Sequence, residues 1–132
     1  MTEPEGTGAG CGKKRVLVVE DDKNFHTVLR IELHESGFDV ACCADSGTAL
    51  QLSTERSFDC FVLDQGALGV QVLEFTRSMR QRFPEAVIIG MSGHLDVNGF
   101  TKSGGDLFLS KPIVLRHLIQ ALNSGAAASS GH

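Results

Sequence analysis

Five polar side chains stand behind short apolar runs, and their types are those that phosphoryl transfer needs. Glu20 and Asp21 follow Arg15-Val16-Leu17-Val18-Val19, and Asp64 closes Phe58-Asp59-Cys60-Phe61-Val62-Leu63. Ser92 follows Ala86-Val87-Ile88-Ile89-Gly90-Met91, and Lys111 comes after Leu107-Phe108-Leu109-Ser110. Three carboxylates at one place repel one another, and such a site is costly until a cation neutralises it. All-oxygen donors suit a hard divalent ion, Mg²⁺ above all, which keeps several waters and takes one or two carboxylates. Lys111 would then pair with phosphoryl oxygens and Ser92 would donate to another. Positioning and charge neutralisation carry most of phosphoryl transfer, so this set suffices to move a phosphoryl group onto a carboxylate. Each residue taken alone also has a plainer role. Acidic residues after a strand cap helices, and a serine or a Lys-Pro pair there commonly makes a turn.

The chemistry needs all five to meet, and that depends on the elements bearing them. The apolar runs read as buried strands of a parallel sheet. Between them lie helical patterns. Asp22 caps a helix through Ser36 with Phe25, Val28, Leu29, Ile31 and Leu33 on its spacing, and Gly37 stops it. Phe38–Cys43 is a second strand, and Asp45 or Ser46 opens a helix carrying Ala49, Leu50 and Leu52. A third helix runs from about Gly69 to Arg82, with Pro84 beyond its end. A weak helical segment over 95–103 contains Gly99, and Gly104-Gly105 follows; a last helix covers 113–123. Five strands alternating with five helices make an α/β fold with a parallel sheet covered on both faces. The C-terminal ends of its strands share one edge, where open sheets of this class bind ligands.

Size and charge narrow the function. A chain of 132 residues is one domain, large enough to bury a core unaided. Its net charge of −4 and pI of 5.7 disfavour nonspecific binding to nucleic acid or an anionic membrane. No apolar run approaches the roughly 20 residues of a membrane helix, and the acidic start is no signal peptide. Four cysteines, Cys11, Cys42, Cys43 and Cys60, form no CxxC pair and read as reduced apolar residues of a cytoplasmic protein. Cys42 and Cys43 should point to opposite faces of their strand. Residues 1–13, with Gly6-Thr7-Gly8-Ala9-Gly10, follow no strand, so they read as a flexible tail rather than a dinucleotide loop. Residues 124–132 read as a flexible tail or linker, leaving 14–123 as the folded domain.

The order of Val18-Val19-Glu20-Asp21-Asp22, Phe61-Val62-Leu63-Asp64, Met91-Ser92-Gly93 and Gly104-Gly105-Asp106-Leu107-Phe108-Leu109-Ser110-Lys111-Pro112 resembles the receiver domain of two-component response regulators. The resemblance implies a flavodoxin-like fold with strand order 2-1-3-4-5. It implies that Asp64 is the phosphoacceptor and that Asp21 ligates Mg²⁺ directly, with Glu20 acting through water. The Gly66 carbonyl would complete the protein's share of the metal shell. Ser92 would be the switch hydroxyl, Lys111 the phosphate-pairing lysine, Phe108 the switch aromatic, and the Lys111-Pro112 bond cis. The implied donor is a phosphohistidine on a sensor histidine kinase or phosphotransfer protein. The implied output is a changed surface over helix four, strand five and helix five, read by an effector domain or a downstream protein. Such a domain is a regulatory phosphoacceptor, not an enzyme acting on outside substrates.

Two stretches depart from that family. Asp64-Gln65-Gly66-Ala67-Leu68-Gly69 lacks the usual Met-Pro and is shorter, and the stretch from Ser92 to Lys111 is shorter too. The second implies a brief helix four and a segment 94–105 that is mobile without phosphate. His94 and Gly66 stand two residues after Ser92 and Asp64, where the family tunes water access to the acyl phosphate. The alternative reading is an unphosphorylated interaction module of the same fold. A hydrolase of the haloacid-dehalogenase type would need a second Asp two residues after Asp64, and Gly66 stands there. After five βα units no helix-turn-helix segment is left to bind DNA.

Overall fold

A computed structural model describes residues 13–92 and 97–130, with side chains through residue 124 except Val70. Five parallel strands, β1 (Arg15–Val19), β2 (Asp39–Cys43), β3 (Cys60–Asp64), β4 (Val87–Ser92) and β5 (Leu107–Ser110), form one sheet. Their order is β2-β1-β3-β4-β5, the expected 2-1-3-4-5 arrangement. Every residue of β3 and β4 is buried, which follows from apolar runs with no polar face at the centre of a covered parallel sheet.

Alternate residues of each strand face different helices. Leu17, Val19, Phe61, Leu63 and Ile88 pack with Ala49 of α2 (Ser46–Glu55), with Val72, Phe75 and Met79 of α3 (Val72–Arg82), and with Phe100 of α4 (Val97–Lys102). Val16, Val18, Cys60, Val62, Ile89 and Met91 pack with Leu29 and Leu33 of α1 (Lys23–Glu35) and Leu118 and Leu122 of α5 (Leu115–Ser130). Cys43 joins the first layer and Cys42 the second, as strand alternation requires. Each fully buried Leu, Ile, Val or Phe contributes about 1.5–3 kcal/mol, so the two layers hold the strand ends, and whatever they carry, in fixed relation.

The helix starts are written in aspartates. Asp22 accepts from the N–H groups of Asn24 and Phe25, at 3.0 and 3.3 Å, and Asp45 accepts from that of Thr48 at 2.8 Å. Gly37, at φ 98°, ends α1 in the left-handed region. The third helical stretch is more broken than its periodicity indicates. One helical turn over Gln65–Leu68, expected as loop, follows Asp64 directly; a 3₁₀ turn over Gly69–Gln71 then leads into α3. Gly69, at φ 62°, separates the two turns, a conformation that glycine adopts without strain. The last helix extends past the expected 123 to Ser130, through an alanine run with the highest helix propensity.

α4 is short, as its sequence implies, but its neighbouring glycines do more than weaken it. The Phe100 ring lies where side chains would otherwise be: a Cβ on Gly105 would come within 2.2 Å of it and one on Gly90 within 3.0 Å. Phe100 is 1% exposed and meets Phe108 edge-on at 6.4 Å between centroids. At the opposite rim of the sheet Arg80 of α3 binds four groups. It donates to the carbonyls of Gly104, Pro84 and Ala86 at 2.8–2.9 Å and to Asp106 Oδ2 at 2.6 Å, and Asp106 Oδ2 also accepts from the Ile88 N–H.

Candidate functional site

The C-terminal rim of the sheet brings together residues 91 positions apart. Glu20 continues directly from β1, its N–H donating to the Cys43 carbonyl at 3.0 Å, and it is fully buried. Asp64 ends β3 and is 2% exposed. Asp21, one residue beyond Glu20, is exposed, and one carboxylate oxygen from each of Glu20, Asp21 and Asp64 lies within 4.8 Å of the others. Lys111, just past β5, extends its ammonium to Asp64 Oδ1 at 2.7 Å and to Glu20 Oε1 at 3.3 Å. The ammonium also lies 5.5 Å from the centre of the Phe25 ring on α1. The peptide bond from Lys111 to Pro112 is cis, as the resemblance implies.

Asp64 uses its two oxygens differently. Its Oδ2 accepts from the Ala67 N–H at 3.0 Å and caps the turn over Gln65–Leu68, while Oδ1 binds Lys111. Gly66 lies inside that turn, exposed, and a Cβ there would stand 2.9 Å from Asp64 Oδ2. A side chain at 66 would therefore press on the carboxylate that the turn orients. Ser92 closes β4, 7% exposed, and its hydroxyl donates to Gln65 Oε1 at 2.5 Å. The Ser92 carbonyl accepts from the Lys111 N–H at 3.2 Å, which seats the lysine loop against β4. Phe108 is half-buried on β5, packed against the core layer that holds Phe100. His94 lies outside the described residues, as do Gly93 and the N-terminal glycines.

The charges are only partly balanced. Burial pushes the Glu20 carboxyl above its ordinary 4.5; the Asp22 N–H pulls it down, the Asp64 charge pushes it up again, and Lys111 pulls it down, with a net shift upward. For Lys111, burial acts to lower the pKa, but the hydrogen bond and charge of Asp64, followed by those of Glu20, outweigh it and the net shift is upward. One ammonium thus pairs with two of the three clustered carboxylates, and Glu20 remains disfavoured as an anion. The donor set is all oxygen and its excess charge is negative, which fits a hard divalent cation better than a soft one.

Three contributors to the site carried no sequence signal. Gln65 holds the Ser92 hydroxyl; Phe25 faces the lysine; His26 Nδ1 lies 3.1 Å from the Glu20 carbonyl. None ends a strand, and none was given a role by the resemblance.

Residues 16–123 match the family model described as response regulator receiver domain. The chain is 36% identical over 113 residues to the transcriptional regulatory protein PrrA of Mycobacterium bovis, covering 83% of this chain and 48% of that one. It is 34% identical over 129 residues to PrrA of Mycobacterium leprae, covering 92% and 55%. The chain thus spans about half the length of these curated relatives. Among solved structures it resembles a response regulator protein from Burkholderia pseudomallei with a phosphorylated aspartic acid, calcium ion and citrate. The TM-score is 0.78 at 23% identity, covering 90% of this chain and 72% of that one. It also resembles the Vibrio cholerae chemotaxis protein CheY4, with a TM-score of 0.78 at 21% identity, covering 86% and 99%. Among the described residues no helix is long and apolar enough to cross a membrane.

Proposed function

This chain belongs to the response regulator receiver domain family, and from that premise we propose that Asp64 accepts a phosphoryl group from a phosphohistidine on a sensor histidine kinase or phosphotransfer protein. A carboxylate oxygen of Asp64 attacks phosphorus; the new O–P bond forms as the P–N bond breaks, and the histidine nitrogen keeps the electron pair. Lys111 follows the charge from the carboxylate onto the phosphoryl oxygens, and the Ser92 hydroxyl donates to another of them. Glu20, Asp21 and Asp64, with the carbonyl of Gly66, would hold Mg²⁺. When bound, the ion neutralises phosphoryl charge.

What supports this reading is the meeting of Lys111, Glu20, Asp21 and Asp64 at one strand rim, with the ammonium 2.7 Å from Asp64. Turning Ser92 and Lys111 toward a new anion changes the β4 and β5 ends, and with them the α4–β5–α5 surface around Phe108. An effector domain or a downstream protein reads that surface in the cytoplasm. The domain spans residues 14–123 and acts as a phosphoacceptor, with its own phosphotransfer and dephosphorylation as its only chemistry.

The test is labelling by a small phosphodonor such as acetyl phosphate, with Mg²⁺ and with chelator. Wild type should take up acid-stable, base-labile label only with Mg²⁺, and Asp64→Asn should take up none. Label on Asp64→Asn would move the acceptor elsewhere. Wild type without label would leave the chain an interaction module.

A further inference from the structure

Gln65 follows the acceptor directly and opens the turn that Asp64 caps. Its backbone carbonyl accepts from the Gly69 N–H, which closes the turn. Its side-chain carbonyl oxygen takes the Ser92 hydroxyl at 2.5 Å, the short end of the O–H···O range. The two residues stand 27 positions apart, and neighbouring strands bring them together, with Asp64 in register with Met91. Gln65 is thus held at both its backbone and its side chain, in the one turn shared with the acceptor.

A serine hydroxyl carries one proton. Ser92 is nearly buried, where a hydroxyl needs a partner, and Gln65 supplies one in the unphosphorylated protein. A phosphoryl oxygen on Asp64 needs the same proton. We propose that Gln65 is a positioning residue that latches Ser92 in the unphosphorylated state, so that its carboxamide competes with the phosphoryl group for the Ser92 hydroxyl. This rests on Asp64 as acceptor and Ser92 as phosphoryl donor partner. Phosphorylation then exchanges one acceptor for another, and the freed Gln65 side chain marks the switched state. The latch sets how readily the site fills and how long it stays filled.

The experiment measures binding of beryllofluoride, a phosphoryl mimic, to the Mg²⁺-loaded protein by the shift of amide resonances. Wild type, Gln65→Leu and Gln65→Met are compared, each with Ser92 intact and in a Ser92→Ala background. With Ser92 intact, both Gln65 variants should bind roughly fivefold more tightly, the worth of one neutral hydrogen bond no longer broken. In the Ser92→Ala background the same substitutions should change affinity by less than about 1.5-fold, because no proton remains to compete for. Unchanged or weaker binding in both variants, or an equal gain without Ser92, overturns the latch while leaving the acceptor reading intact. Wild type that binds no beryllofluoride, or an Asp64→Asn variant that binds it equally well, overturns the acceptor reading and the latch with it.

Discussion

Lys111→Met removes the ammonium and keeps most of its stem, leaving two buried carboxylates without their cation. The gross effect follows from the distances. At an effective dielectric of ~20, the attraction of Lys111 for Asp64 at 2.7 Å is about 6 kcal/mol and for Glu20 at 3.3 Å about 5 kcal/mol. Desolvation of the three groups offsets most of that. Breaking a fully buried pair costs about 3–5 kcal/mol, chiefly from the charge left behind. The Lys111 side chain is 34% exposed, so solvent screens it and the expected loss in chelator is nearer 2 kcal/mol. For a domain of this size that lowers the melting temperature by about 10 °C. Magnesium at ten times its Kd should stabilise wild type by about 1.4 kcal/mol. It should stabilise Lys111→Met by more, because the ion no longer meets a positive neighbour. The assay is urea unfolding of both proteins in EDTA and over a Mg²⁺ series. A variant within about 0.5 kcal/mol of wild type in EDTA, or equal stabilisation of both by Mg²⁺, would refute the placing of one ammonium among three carboxylates.

Two further outcomes follow from the geometry. Glu20 has a folded pKa above its ordinary 4.5, so its favourable contribution is complete below 4.5 and is lost as pH rises through the folded value. In EDTA, wild type should lose stability relative to Glu20→Gln between pH 4.5 and neutrality, and parallel unfolding-energy curves for the two would contradict the burial argument. Gly105→Ala puts a methyl against the Phe100 ring and should cost about 1–3 kcal/mol, part of which Phe100→Leu restores in the double variant. Simply additive losses would mean that the two positions do not share one space.

The sheet and the placing of the five candidate residues at its rim were legible because each depended on a run of residues. An apolar run of five or six bounded by turn residues fits a covered strand, and a polar residue behind it then falls at the strand rim. Glu20, Asp64, Ser92 and Lys111 met on that logic alone. The turn over Gln65–Leu68 was not legible: four residues are too few to show a helical period, and its cap is a bond to Asp64 Oδ2 from the Ala67 N–H. Nor was the contact of Gln65 with Ser92, which needs the register of β3 on β4 before it can be seen. The glycines around α4 were legible as helix-breakers and misjudged as nothing more. A glycine that makes room for a ring looks the same in a sequence as one that frees the backbone, and only the position of Phe100 separates the two.

Arg80 gives the molecule an asymmetry. Its guanidinium gathers Gly104, Asp106, Pro84 and Ala86 and so rivets the entrances of β4 and β5 to α3. At the exits of those strands the Lys111 N–H donates to the Ser92 carbonyl at 3.2 Å, and the Ser92 hydroxyl donates to Gln65. The clamp holds the roots of the strand pair and leaves its tips to the bonds of the site. On the reading of Asp64 as acceptor, the new charge enters at the tips, the end of the strand pair that this arginine does not hold.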